Sequence, residues 1–157
     1  MSLELQDLGY DHPVVRELEA QVQAEYVRRY GGPDETVMDP ASFTAPSRGA
    51  FLVGWVEGVP VAMGGIRAHG DDAEIKRMYV PDTHRGKGYA RAMLTALEGA
   101  ARTAGYARMI LETGTEQPEA IALYGSSGYT AIPGFGYYKD SPHNRCFAKP
   151  LGPQALS

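Results

Sequence analysis

A short glycine-rich turn separates a strand-like segment from a helix-like segment near the middle of the chain. Residues 73–80 have the alternation and the β-branched and aromatic content of a strand, and a proline then removes a backbone donor and ends it. Apolar residues next recur at helical spacing, at Met93, Leu94, Leu97, Ala101 and Ala104. Gly86 and Gly88 let the backbone bend between the two segments, so that free N–H groups and the helix dipole face a ligand. Arg85 and Lys87 add positive charge, and the turn is therefore predicted to bind an anion.

Two common phosphate-binding motifs do not match this turn. The dinucleotide fingerprint G-x-G-x-x-G requires a third glycine where this chain has Arg91. The Walker A motif requires four residues between two glycines and a Lys-Ser or Lys-Thr pair after the second, and neither feature is present. The anion is therefore not predicted to be a dinucleotide or a nucleoside triphosphate.

A third pattern, R/Q-x-x-G-x-G/A, does match, from Arg85 through Ala90. It is the pyrophosphate loop of the GNAT superfamily of N-acetyltransferases, which this chain resembles from Leu3 to Leu151. A second segment, from Gln117 to Tyr129, resembles the family pattern N-x-x-A-I-x-L-Y-x-x-x-G-F/Y, with glutamine in place of the usual asparagine. Two motifs in the expected order and separation support the resemblance together.

The resemblance implies acetyl-CoA as a co-substrate, with no metal. It places the pantetheine arm against the backbone of Met78 and Val80, like an added strand, and the pyrophosphate on the N–H groups of residues 85–90. The implied cofactor-binding residues are Met78, Tyr79, Val80, Arg85, Gly86, Lys87, Gly88, Tyr89, Ala90 and Gln117.

Composition and length are those of an ordinary globular domain. The chain has 157 residues, a mass of 17.0 kDa and a net charge of −4, which favours one domain over residues 1–157 and gives no indication of nucleic-acid binding. No apolar run approaches the length of a membrane span, and a cytoplasmic protein is expected. The single cysteine, Cys146, excludes an internal disulfide, and the four histidines lack metal-ligand spacing.

The order of predicted elements indicates an α+β fold. A short strand at Leu3 and Leu5 precedes a helix that is capped by Asp11 and ends at Gly31. A long loop over residues 34–48, with a helical turn near residues 41–44, leads to a hairpin with strands at 51–56 and 59–66. The central strand and helix follow, then a strand at 108–113, a helix from Pro118, and strands at 129–132 and 145–148. A GNAT-like mixed, splayed sheet of about seven strands flanked by helices is predicted.

Three residues are candidates for proton transfer. In the family an amine attacks the thioester directly, so one group must accept a proton and another must donate one to the leaving thiolate. Tyr124, in the second family segment, is the candidate acid, since a phenol is protonated at neutral pH. Glu112, at the end of a strand, is the candidate base, and Glu74 is its rival. A structural ion pair of Glu74 with Lys76 or Arg108 is equally compatible with the sequence.

The acceptor pocket is expected to be built from the first helix, the loop after it and a late aromatic loop. The candidate substrate-binding residues are Tyr26, Tyr30, Phe135, Tyr137 and Tyr138, with Arg29 and Asp34 nearby. The leading function is N-acetyl transfer to a small amine, amino acid or peptide. Transfer to a protein N-terminus or lysine is an alternative, as is a non-catalytic acetyl-CoA sensor. A monomer or homodimer, with no membrane partner, is expected.

Overall fold

A computed structural model describes residues 3–152, which form one seven-stranded sheet with helices packed against it. The strands are β1 (Glu4–Asp7), β2 (Ala50–Val56), β3 (Val59–His69), β4 (Asp72–Tyr79), β5 (Arg108–Gly114), β6 (Thr130–Ile132) and β7 (Asn144–Pro150). The α-helices are α1 (Pro13–Tyr30), α2 (Tyr89–Thr103) and α3 (Pro118–Ser126). The predicted α+β architecture with a mixed sheet of about seven strands is confirmed.

The strands lie in the order β1-β2-β3-β4-β5-β7-β6. Only β4 and β5 are parallel, and the connection between them runs through α2, as a parallel crossover requires. The other neighbours are antiparallel, including β5 with β7, which inserts between β5 and β6. The last strand among residues 3–152, β7, is therefore an interior strand of the sheet.

Two apolar clusters hold the helices onto opposite faces of the sheet. Alternate residues of β2 divide between them: Phe51 and Val53 pack with α1, while Ala50 and Leu52 belong to the cluster that contains α2. Of the positions predicted from helical spacing, Met93, Leu94, Leu97 and Ala101 are buried in α2, whereas Ala104 is half-buried and is the C-cap residue after the helix. Burial of this stripe stabilises the crossover by removing apolar surface from water.

The structure corrects the predicted N-cap of α1 and refines the descriptions of its buried stripe and of the long loop. The N-cap of α1 is His12 and not Asp11, because the His12 imidazole Nδ1 accepts the Val14 N–H at 3.1 Å. The buried stripe of α1 also includes the carboxylates of Glu19 and Glu25, which an apolar pattern could not indicate. In the long loop the predicted helical turn is present as a short 3-10 helix, Pro40–Phe43.

Candidate active site

The sheet opens between its two parallel strands. β4 and β5 pair at three positions only, the last of which is Ile75 with Leu111, although both strands continue beyond it. β4 contains one more residue than β3 between the pairs Gly65–Lys76 and Met63–Tyr79, and Arg77 adopts a φ of 57° at this bulge. The strands therefore separate, and two cavities of about 340 and 490 Å³ lie at the opening.

The smaller cavity, called here the turn cavity, adjoins the glycine-rich turn. The predicted cofactor residues Met78, Tyr79, Val80, Arg85, Gly86, Gly88, Tyr89, Ala90 and Gln117 line it, together with Tyr124. Lys87 is exposed and is not among the lining residues. Within residues 3–152, the six backbone N–H groups from 86 to 91 have no hydrogen-bond acceptor. These N–H groups at the start of a 15-residue helix are suited to bind an anion.

Both turn glycines have conformations that other residues adopt only with strain. Gly86 has a φ of 78° and Gly88 a φ of 84°, in the left-handed region. No atom lies within 4 Å of a β-carbon built at either position. The requirement for glycine is therefore conformational, and the space above the turn is open to a ligand.

Arg85 is engaged in the protein itself. Its guanidinium contacts Glu25 of α1 at 2.6 Å and Asp82 at 2.7 Å, and its Nε donates to the Val80 carbonyl at 2.8 Å. The sequence suggested that the Arg85 side chain supplies free positive charge, but these contacts neutralise it. The side chain fixes the turn onto α1, and the backbone of the turn faces the cavity.

The larger cavity, called here the cleft cavity, lies between α1, the opened strands and the loop before β7. Three predicted acceptor residues, Tyr26, Tyr30 and Tyr138, line it. Two others do not: the ring of Phe135 packs at 5.2 Å from His69, and Tyr137 is 63% exposed. The sequence could not separate these aromatic residues, because their positions depend on how the late loop folds.

Glu112 and Glu74 share one buried lysine between them. The Lys76 side chain is 3% exposed, and its Nζ lies 3.4 Å from Glu112 Oε1 and 3.8 Å from Glu74 Oε2. Glu74 also accepts from Arg67 Nε at 3.0 Å, whereas Arg108 pairs with Asp72 instead. Of the two ion pairs that the sequence allowed for Glu74, the structure contains the one with Lys76.

The second carboxylate oxygen of Glu112 is buried and has no hydrogen-bond partner within residues 3–152. Burial raises the pKa of the Glu112 carboxyl above its ordinary value, and the nearby Glu74 charge adds to this, while Lys76 opposes it. Glu112 lines the cleft cavity, whereas Glu74 is not among its lining residues. A desolvated carboxylate with a free oxygen is suited to accept a proton.

Tyr124 is buried in α3 and lines the turn cavity. Its ring packs 5.7 Å from that of Tyr129, and burial raises the pKa of the Tyr124 phenol above its ordinary value. The phenol is therefore protonated throughout the neutral pH range. Gln117, at the start of the same helix, lines both cavities and donates to the Tyr30 hydroxyl at 3.3 Å.

A buried ion-pair network that the sequence did not predict supports the cleft cavity. Arg77 donates to both oxygens of Glu19, at 3.0 and 3.1 Å, and also pairs with Asp34 in the loop after α1. Burial alone would raise the pKa of Asp34, but Arg77 and Lys76 outweigh it and hold that pKa below its ordinary value. The adjacent charged residues Lys76 and Arg77 in a buried strand could have indicated this network, since such strands are normally apolar.

Comparison with known proteins identifies the family. Residues 18–129 match the Acetyltransferase (GNAT) family. The chain belongs to this family. An IAA acetyltransferase of Azospirillum brasilense is 39% identical over 103 residues, which are 64% of this chain and 67% of that protein. YjgM, an uncharacterized N-acetyltransferase of Escherichia coli K12, is 33% identical over 132 residues, or 78% of each chain.

GNAT structures share this fold over nearly the whole chain. A candidate acyl-CoA N-acyltransferase of Klebsiella pneumoniae superposes with a TM-score of 0.78 at 28% identity, covering 95% of this chain and 97% of the other. The PaiA N-acetyltransferase of Thermoplasma acidophilum, crystallised with coenzyme A, has the same fold at 13% identity and a TM-score of 0.69, covering 96% and 99% of the two chains. The GNAT family and the N-acetyltransferase relatives make this chain an acyltransferase.

The turn of this GNAT protein fits the acetyl-CoA that the family uses. The N–H groups that lack a partner in the described chain, with open space above two glycines, are suited to hold a pyrophosphate. In the same part of the chain, the backbone of β4 beyond Ile75 has no partner strand on its β5 side. Among residues 3–152 no group of three or more His, Cys, Asp or Glu side chains is placed to bind a metal. None of the helices in that range is long and apolar enough to cross a membrane.

Proposed function

We propose that this GNAT protein transfers the acetyl group of acetyl-CoA directly to a primary amine. Glu112 accepts a proton from the amine, and Tyr124 donates one to the leaving sulfur. The observation that carries this proposal is the placement of the two groups. Glu112, a buried carboxylate with one unpartnered oxygen in the described chain, lines the cleft cavity, and the buried phenol Tyr124 lines the turn cavity. The two cavities adjoin, since Gln117 lines both of them.

The proton and bond changes of this reaction balance. An ammonium acceptor gives one proton to Glu112, and the free amine nitrogen forms a bond to the thioester carbonyl carbon. The C–S bond breaks, and the sulfur takes the Tyr124 proton. The second amine proton restores the Tyr124 phenol, and Glu112 releases its proton to solvent. The products are an N-acetyl amide and coenzyme A.

The contacts of the two glutamates favour Glu112 over Glu74 as the base. Glu74 is held by Arg67 and Lys76, and it is not among the residues that line the cleft cavity. Glu112 has only Lys76 as a partner for one oxygen, and its other oxygen is unpartnered within the described chain. We assign Glu74 the role of positioning Lys76.

A coenzyme A release assay with a panel of acceptors tests this function. The panel contains small primary amines, amino acids, peptides with a free α-amine and a lysine peptide with a blocked α-amine. We expect acceptor-dependent release with at least one class and an N-acetyl product by mass spectrometry. Acetyl-CoA binding without release for any acceptor would contradict catalysis on amines. Release with the lysine peptide or the α-amine peptides alone would instead indicate a protein substrate.

A further inference from the structure

The cations that line the cleft cavity are already paired with carboxylates. The Lys76 ammonium lies between Glu112 and Glu74, and its side chain is 3% exposed. Arg77, with 2% of its side chain exposed, pairs with Glu19 and Asp34. Within residues 3–152, carboxylates therefore compensate the charge of both cations. The other basic side chain in the lining, His143, lies at the surface with its Nδ1 3.0 Å from the Thr115 hydroxyl.

The same cavity has an excess of negative charge. Its lining contains three carboxylates, Asp34, Glu35 and Glu112, against the two cations Lys76 and Arg77, which leaves a net charge of −1. Glu35 is exposed at the rim, where its backbone N–H donates to the Tyr138 hydroxyl at 2.8 Å. The Glu112 side chain is 9% exposed, and one of its oxygens is buried without a partner in the described chain. A positively charged group is the complement of this arrangement.

The walls of the cavity suit a small apolar or aromatic body. Tyr26, Tyr30 and Tyr138 line a space of about 490 Å³, which lies within the usual range for small-molecule sites. A β-carbon at Gly114 would lie 1.8 Å from the Tyr30 hydroxyl, so Tyr30 is closely packed against β5. Tyrosine rings also attract a cation placed over their faces.

We infer that the acceptor is a small amine without a free carboxylate next to its amino group. The inference rests on the proposed function and narrows it. An ammonium complements the net negative charge of the lining, to which Glu112 contributes, whereas an α-carboxylate would enter a site whose buried cations already have partners. A charge buried without a partner is strongly unfavourable. Free amino acids are therefore poor acceptors, and the corresponding amines and amides are good ones.

Matched acceptor pairs that differ only by the carboxylate test this inference. The pairs are tyramine and tyrosine, histamine and histidine, and isopentylamine and leucine. Tyrosine amide and leucine amide control for the bulk of the α-substituent. At saturating acetyl-CoA, we expect kcat/KM for the best amine to exceed that of its amino acid by more than tenfold, with the amide closer to the amine. An amino acid within tenfold of its amine, or better than it, overturns the inference.

A variant that frees a cation provides a second test in the opposite direction. Asp34→Asn removes one of the two carboxylate partners of Arg77, and we expect the ratio of amine to amino acid kcat/KM to fall at least threefold. Asp71→Asn, at the exposed turn between β3 and β4, is the matched control and should keep the wild-type ratio. An unchanged ratio in a folded Asp34→Asn protein would contradict the role given to the paired arginine.

The two levels of the proposal fail in different ways. If no acceptor in the series or in the peptide panel releases coenzyme A, the proposed amine acetylation is wrong, and the inference is overturned with it. If amines and amino acids are acetylated equally well, acetyl transfer stands and only the charge-based selection is overturned.

Discussion

Tyr124 and Tyr129 are neighbouring buried tyrosines with different environments, which makes them a matched pair. The Tyr129 hydroxyl donates to Glu98 at 2.7 Å, whereas that of Tyr124 has no side-chain partner within residues 3–152. We predict that Tyr124→Phe lowers kcat by about 10²-fold or more, the usual scale for a lost general acid, with little change in melting temperature or acetyl-CoA affinity. Tyr129→Phe should leave kcat nearly unchanged and should lower the free energy of unfolding by about 1–3 kcal/mol.

Steady-state kinetics and thermal unfolding of both variants separate the two roles. Comparable kcat in wild type and folded Tyr124→Phe would remove this phenol from the mechanism. A large stability loss in Tyr124→Phe would indicate a structural hydroxyl.

Glu112 is predicted to control the pH dependence of the reaction. Only its ionised form accepts a proton, and burial raises its pKa, so the rate should rise with pH through a value above the ordinary glutamate pKa of about 4.3. Glu112→Gln should remove this limb and lower kcat by about 10²–10⁴-fold. The variant can use only an acceptor amine that has already lost its proton, so the ratio of the wild-type rate to the variant rate should change with pH. A ratio that is constant across the pH range would show that another group is the base.

The raised pKa of Glu112 also affects stability. Because the folded state binds this proton more tightly than the unfolded state, the contribution of Glu112 is most favourable below the unfolded pKa. That contribution is lost as pH rises through the folded pKa. The ionised Glu112 carboxylate therefore lowers the free energy of unfolding at neutral pH, which is consistent with a functional role for this residue.

At the scale of elements, the turn before α2 combines backbone geometry with charge. Asparagine and aspartate have the same shape, and both tolerate the left-handed conformation of Gly88, which has a φ of 84°. We predict that Gly88→Asp binds acetyl-CoA at least about tenfold more weakly than Gly88→Asn. The reason is that like charges about 4 Å apart repel by about 1 kcal/mol in water and about 4 kcal/mol near a protein surface.

Calorimetric titration of both variants with acetyl-CoA measures this difference. Their melting temperatures should agree closely, since the strain is shared. Equal affinities would mean that the pyrophosphate does not lie at this turn.

The whole molecule should be stabilised by acetyl-CoA, because the turn cavity draws residues from α1, β4, the turn, α2 and α3. A ligand at a hundredfold excess over its Kd adds about 2.7 kcal/mol, which raises the melting temperature of a chain of this size by about 5–10 °C. NAD and ATP should have little effect, since their motifs are absent. Thermal scans with each ligand check this. Stabilisation by NAD or ATP equal to that by acetyl-CoA would contradict the assignment of the turn.

Local pattern alone was sufficient to predict the elements and the turn. The alternation in residues 73–80, the helical spacing from Met93 to Ala101 and the two glycines each depend on neighbours within a few positions, and the structure has a strand, a helix and left-handed glycines there. The order of strands and helices along the chain followed from these elements. The position of His12 as N-cap was missed, because Asp11 is an equally good local candidate.

The tertiary structure decided what the sequence left open. Whether Glu74 or Glu112 has a free oxygen depends on Arg67, Lys76 and the point at which β4 and β5 separate, and these contacts join residues far apart in the chain. Likewise Tyr138 lines the cleft cavity and Tyr137 does not, although they are adjacent. The sequence by itself predicted the turn that we propose for the pyrophosphate, because one continuous segment of the chain forms that turn. Only the tertiary structure defined the cleft cavity that we propose for the acceptor, because its charge pairing and burial are set by side chains from several elements at once.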